Sequence, residues 1–529
     1  MNDNAPTSYD IVPYVNRSFP QSNPNKLWVV ARLFGLNAPH PGRCRVLELG
    51  CGRGGNIVPM AFNMPHGEFA GIDLSAVQVA EARKMADKLG LSNLRLEHKD
   101  LMDVDEDFGQ FDYIIAHGVF SWAPGAVRAK LLSICKRNLA PDGVAYVSYN
   151  TYPGWRMRQM LREMMLYHVR DIQDPGTRVR QARALVQFLA DSVPQNGGPY
   201  EILLKEELGA MNKHSDAYLY HDHLEEQNVP LYFHEFIKLA GENGLKYLGE
   251  SDVHTMAPND FRPGVQEQLR LLGTDIVRME QYIDFLRNRR FRQTLLCHKE
   301  RELQRKYDIE GIKSSYISTS VLPVSAEPEI FSGKEETFKH PVKTVNFTTR
   351  HPLFKATFAV LKESWPQAVA FDWLYREAYR RLADAPRPED RPADRIEPGV
   401  FARELLGLYL ANLLELHAQP FNLAVKAGDR PQASLLARMG AEYGNMVANQ
   451  RFATVNLETE FARAALKLLD GECDRAGLTK KLAALATDGG PLSALAGDGG
   501  NDPSAIEQTI ARELDAALAT FASLSLLVD

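Results

Sequence analysis

The run V-L-E-L-G-C-G-R-G-G-N, Val46 to Asn56, constrains the fold more than any other stretch of the chain. A short apolar strand runs into a glycine turn, and a helix is expected to begin near Asn56. Gly50, Gly52 and Gly54 let the backbone turn sharply and approach a ligand where a Cβ would collide. Such a strand–turn–helix opens a doubly wound sheet. The sequence downstream agrees. Apolar runs at 44–49, 68–72, 94–98, 111–116 and 143–149 alternate with helix-like spacing over 75–89 and 126–139. Right-handed crossovers then give an α/β, Rossmann-like, mostly parallel sheet at the N-terminus.

A chain of 529 residues exceeds what one hydrophobic core supports, and the pattern changes after Trp155. We divide it into 1–170, 171–309 and 310–529. Helices are predicted over 156–171, 177–192 and 199–211, followed by an aromatic and His-rich segment, 217–236. The charged stretch 280–306 reads as one long helix. Residues 323–341 read as a linker, and a mainly helical region follows from 351, interrupted by loops at 385–399 and 488–503. On this division, residues from about 310 onward stand as a separate domain whose removal spares cofactor binding.

Cys44, Cys51, Cys135, Cys297 and Cys473 lie far apart with no C-x-x-C pair, which argues against a disulfide framework or a structural zinc and fits a reducing cytoplasm. The polar start MNDNAPTSYD lacks the pattern of a secretory signal, and no apolar run is long enough for a membrane span. A net charge of −6 gives no overall footprint for nucleic acid.

Acidic residues sit at the carboxyl ends of successive predicted strands, where such sheets bind ligands. Asp73, 19 residues after Gly54, can accept from both hydroxyls of a ribose. Nicotinamide enzymes place an acid there too, so Asp73 alone leaves the cofactor open. Asp100 can accept an adenine amino group, with Leu101 against the ring. Glu48, two residues before the first glycine, suits an ammonium rather than a pyrophosphate. The set E-x-G-x-G-x-G, then D, then D-L, then F-D-Y-I-I-A-H resembles class I S-adenosylmethionine-dependent methyltransferases. The cofactor-side set is thus Glu48, Gly50, Cys51, Gly52, Gly54, Asn56, Asp73, Leu74, Asp100 and Leu101, with His117.

The fourth and fifth strands lead into H-G-V-F-S-W-A-P, His117 to Pro124, and Y-N-T-Y-P-G-W, Tyr149 to Trp155. Aromatic faces stabilise a sulfonium or an amine by about 0.5–2 kcal/mol each. Tyr14, Trp122, Tyr152 and Trp155 are expected to cradle an amine acceptor, with His117 as a proton relay. The absence of a D/N-P-P-Y/F tetrapeptide lowers the nucleic-acid reading further. No metal is expected, because methyl transfer needs none; His221, His223 and His234 with Glu225 and Glu235 read instead as packing over the acceptor pocket. Arg287, Arg289, Arg290 and Arg292 read as a salt-bridged packing helix that also carries Asp284.

The resemblance extends along the chain. Y-D-x-V-P-Y at Tyr9–Tyr14, A-H-G-V-F-S-W, V-S-Y-N-T-Y-P-G-W, H-D-H-L-E-E-x-N-x-P-L-Y-F-H-E-F at His221–Phe236 and D-F-L-R-N-R-x-F-R at Asp284–Arg292 are similar to bacterial methyltransferases carrying a methyltransferase regulatory domain. Relatives of that family include protein-lysine methyltransferases of outer-membrane proteins. The resemblance implies lysine side chains of protein as acceptors. A small-molecule acceptor, or a cofactor-binding regulator that transfers nothing, are the alternatives. The C-terminal region is expected to serve acceptor recognition or homodimer formation.

Overall fold

Strands β1 (Arg45–Leu49), β4 (Phe111–Ala116) and the latter part of β5 (Leu139–Asn150) are buried almost without interruption. In the computed structural model this follows from a sheet covered on both faces. With β2 (Glu68–Asp73), β3 (Leu94–His98), β6 (Leu245–Glu250) and β7 (Phe291–His298), the sheet has the order β3-β2-β1-β4-β5-β7-β6. The first five strands are parallel, and β7 runs antiparallel to both β5 and β6. The order reverses between β1 and β4, which opens a crevice at their carboxyl ends. The structure describes residues 8–12, 14, 16–384, 395–486, 490–492 and 503–528. The loops expected at 385–399 and 488–503 lie outside the described residues except at 395–399, 490–492 and 503.

The predicted helices take the form Trp155–Val169, Pro175–Ser192 and Pro199–Met211. The long helix expected over 280–306 does not form. A helix spans Ile276–Arg287, Asn288 turns left-handed at φ 47°, and the chain enters β7. The arginines explain the misreading. Arg292 looks like one more exposed cation of a helix face, yet on β7 it is buried and meets Glu250 at 2.7 Å, Asp284 at 2.8 Å and Glu280 at 3.0 Å. The stretch 323–341 is not a plain linker either. Strands Leu322–Pro323, Glu336–Lys339 and Asn346–Thr349 form a small antiparallel sheet there.

The sheet takes its last two strands from the expected middle division of the chain. The main core also runs on without a break, from Leu27 to Phe452. Asn25, at the start of the helix Pro24–Leu33, accepts the backbone N–H of Ala418 at 2.6 Å. A second core gathers Ala424 to Leu527 around the helices Leu435–Tyr443, Glu460–Leu468, Arg475–Leu485 and Pro503–Ser523. Among the described residues no helix is long and apolar enough to cross a membrane.

Candidate active site

The glycine turn after β1 is built by backbone geometry. Gly50, Gly52 and Gly54 have φ of 75°, 51° and 76°, a region that L side chains rarely adopt. A Cβ on Gly50 would also meet Val119 at 2.6 Å. Asp73, at the end of β2, closes the turn: one carboxylate oxygen accepts the N–H of Gly52 and the other that of Ser75, both at 2.8 Å. Burial nevertheless raises the pKa of Asp73.

Glu48 is the acid that the strand pattern does not explain, since it is buried among apolar neighbours. Asn56 donates to its Oε1 at 2.7 Å, while its Oε2 is buried without a hydrogen-bond partner. Burial pushes its pKa up to about 8. A buried acceptor of this kind fits an incoming ammonium group, which would satisfy the oxygen and favour the ionised form. At the other end of the crevice, Asp100 spends one oxygen on the N–H of Met102. Leu74 and Met102 are 55% and 45% exposed beside the two acids, apolar faces suited to a flat ring. The residues present therefore fit the amino group, ribose and adenine of S-adenosylmethionine. Cys51 is buried, with its N–H on the carbonyl of Ile72.

The N-terminal segment closes over this turn. Phe19 N–H donates to Asn56 Oδ1 at 2.9 Å, and Ser18 Oγ donates to the carbonyl of Gly55 at 2.8 Å. Ser75 donates to Asp10, and Tyr9 stacks on His221 at 4.4 Å. Y-D-x-V-P-Y belongs to the family pattern, yet nothing in its sequence marks Tyr9 and Asp10 as neighbours of the glycine turn.

The expected aromatic cradle divides into three groups. Trp122 and Trp155 meet edge to face at 6.5 Å, and Trp155 is buried with its Nε1 unpartnered. Tyr14 faces Tyr218 and His221 at 6.5 and 5.6 Å. The Tyr218 hydroxyl donates to the Asp222 carboxylate, and burial raises the pKa of both groups. Tyr152 turns elsewhere: its hydroxyl donates to Gln159 at 2.7 Å, Arg156 covers its ring, and Tyr232 packs beside it. Tyr218 and Asp222 lay in the 217–236 segment without being singled out. His117 contacts Tyr146 at 2.9 Å and Phe19, and burial lowers its pKa to about 4. Segment 217–236 does border this region, through Val229 N–H on the carbonyl of Ser121 and a bridge from Leu231 to Thr151. Among the described residues no cluster of His, Cys, Asp and Glu is arranged to hold a metal ion.

Fold and site together define a class I S-adenosylmethionine-dependent methyltransferase. Family models match along the chain: "Methyltransferase domain" over 41–186, "Predicted methyltransferase regulatory domain" over 215–298, and "PKMT, C-terminal winged helix domain" over 429–526. A Rickettsia prowazekii protein, RP789, is 37% identical over 483 residues, covering 90% of this chain and 85% of its own length. The structure of PKMT2 from Rickettsia typhi superposes with a TM-score of 0.86 at 28% identity, covering 98% of this chain and 100% of that one. It matches equally well in complex with AdoHcy. The chain belongs to the same family as RP789, and is itself a methyltransferase carrying a methyltransferase regulatory domain.

Proposed function

We propose that the chain methylates an amine, the side chain of lysine in protein acceptors. The observation that carries this reading is the match to PKMT2 along the whole chain, regulatory and winged helix regions included; we read its initials as protein-lysine methyltransferase. The acceptor side supports it. Tyr14, Tyr218 and Asp222 form an acidic, aromatic-walled group, and Trp122 with Trp155 forms a second aromatic wall.

Bound S-adenosylmethionine supplies an activated methyl group. The protein's part is then placement, since methyl transfer is an in-line displacement helped most by holding the acceptor in reach. In our reading Glu48 and Asp73 hold the amino and ribose ends of the cofactor, with Asp100, Leu74 and Leu101 at the adenine. The hydroxyls of Tyr14 and Tyr218 orient the amine, and Asp222 draws the lysine ammonium in and takes its proton. The tryptophan faces stabilise the charge that grows on nitrogen. His117, held neutral at a pKa of about 4, is a weak base and acts in positioning. Residues 1–170 would hold the cofactor and one side of the acceptor pocket, to which 171–309 would contribute Tyr218 and Asp222. Residues 310–529 would hold the polypeptide, or a second copy of the chain in a homodimer. We place the protein in the cytoplasm, in keeping with its free cysteines.

Incubation with methyl-labelled cofactor and a cell lysate tests the proposal. Label is expected in protein, and in methyl-lysine after hydrolysis. Label confined to small solutes would establish the small-molecule reading instead, and no transfer at all would leave a cofactor-binding regulator.

A further inference from the structure

The C-terminal winged helix region touches the cofactor turn through one short chain of hydrogen bonds. Within it, strands Met446–Ala448 and Thr454–Asn456 form a hairpin. Thr454 Oγ1 accepts the backbone N–H of Ser18 at 2.9 Å. Ser18, itself buried, donates through Oγ to the carbonyl of Gly55, and the next residue, Phe19, donates to Asn56 Oδ1. Asn56 in turn donates to Glu48 at 2.7 Å and to Ser22 at 3.0 Å. The fit is tight: a Cβ on Gly55 would lie 2.1 Å from Asn16 Oδ1 and 2.6 Å from Arg17 N.

We propose that Thr454 is a positioning residue for the cofactor, acting from the C-terminal region through Ser18 and Asn56 on the glycine turn and on Glu48. The order of the bonds carries this. Asn56 presents its N–H₂ to Glu48 with its carbonyl oxygen turned to Phe19, Ser22 accepting from the same N–H₂, and segment 16–19 belongs to no helix or strand. What fixes that segment sets the amide, and the amide sets the carboxylate. Without the Thr454 hydroxyl the buried Ser18 N–H has no acceptor, and segment 16–19 must shift to find one. Thr454 also lines a cavity of about 1080 Å³ instead of packed interior, so losing its hydroxyl opens no hole in the core.

The inference rests on the proposed placing of the cofactor's amino group at Glu48, and two readouts separate the two claims. AdoHcy affinity is measured by calorimetry on the full chain, and amide exchange of residues 46–56 is followed without ligand. Thr454→Ala is expected to weaken AdoHcy about fivefold or more and to speed exchange of the turn. Thr454→Ser, which keeps the hydroxyl, is expected to restore both, and Ser18→Ala to behave like Thr454→Ala. Tyr443→Phe removes another contact between the winged helix region and the catalytic domain, from Lys88 at the end of the helix Ala76–Lys88 to the Tyr443 hydroxyl, which lies outside this chain of bonds. It is expected to change neither readout. Wild-type affinity and exchange in Thr454→Ala would overturn the proposal, as would equal effects from Tyr443→Phe. Faster exchange in Thr454→Ala, alongside a Glu48→Gln variant that binds AdoHcy normally, would keep the latch and dismiss the role of Glu48.

Discussion

Asp73 holds the N–H of Gly52 at 2.8 Å, so the acid expected to receive the ribose also fixes the turn that lets the ligand approach. Replacing Asp73 with Ala removes both functions at once. Cofactor binding is expected to weaken by about 1–3 kcal/mol, read by calorimetry with AdoHcy. Asp73→Asn keeps an acceptor oxygen and should lose less. Equal losses would mean that charge, not hydrogen bonding to the turn, is what matters.

Glu48 gives the molecule a pH dependence. Its pKa is about 8 in the fold and near the ordinary carboxyl value when unfolded. The folded state therefore holds this proton where the unfolded chain has lost it. Its stabilising share is full below about pH 4.5 and disappears as pH rises through 8. Glu48→Gln cannot ionise, so the melting temperature of the ligand-free variant should fall less between pH 6 and 8.5 than that of the wild type. Affinity for AdoHcy should rise over the same range in the wild type, where the carboxylate forms, and stay flat in the variant.

Arg292 sits among Glu250, Glu280 and Asp284, with one oxygen of Glu280 buried and unpartnered. Arg292→Met removes the buried cation shared by three buried acids and leaves Arg289, paired with Asp284 at 2.8 Å, as the nearest compensation. We expect a loss of about 3–5 kcal/mol in denaturant unfolding, because uncompensated buried charge is the cost. A loss under about 1 kcal/mol would show that those acids are protonated in the fold.

If the indole of Trp155 stabilises the acceptor as proposed, Trp155→Ala should lower kcat at saturating cofactor more than it raises KM, because the charge on the acceptor nitrogen is largest in the transition state. Tyr152→Phe should stay within about twofold of wild type, since its hydroxyl is engaged by Gln159. A large fall in kcat for Tyr152→Phe would return that hydroxyl to the acceptor site.

Removal of 310–529 was expected from sequence to spare the cofactor site. With the main core continuous to Phe452 and Thr454 bonded to Ser18, we now expect the truncated chain to bind AdoHcy at least tenfold more weakly. Calorimetry on that fragment decides between the two expectations.

The parallel half of the sheet was legible because each strand is short, apolar and followed by a turn, and because glycines and acids fall at the strand ends. Glu48 stood out by its place two residues before the first glycine, while its burial and its unpartnered oxygen appear only in the fold. The last two strands were not legible. Arg292 is stabilised by acids 8, 12 and 42 residues away, and no local pattern marks a cation as buried when its partners arrive only through tertiary folding. Tyr9, Asp10, Tyr218 and Asp222 share this difficulty, since His221 meets Tyr9, Ser75 meets Asp10 and Tyr14 meets Tyr218 and Asp222 across long stretches of chain. The expected acceptor cradle drew on the ends of the fourth and fifth strands and on an N-terminal segment folding back; Trp122 does meet Trp155, but the direction in which Tyr152 turns, toward Gln159, is set by local contacts that strand position does not mark.

Strand β7, which pairs with β5 along its outer edge, is supplied by residues 291–298. Until the ribosome has delivered those residues, β5 presents a row of unpaired backbone groups along an apolar strand, a template for joining other chains. Nascent chains halted between residues 150 and 290 should accordingly be the aggregation-prone species. For the same reason, exchanging the regulatory segment between homologues would transplant part of the catalytic sheet with it.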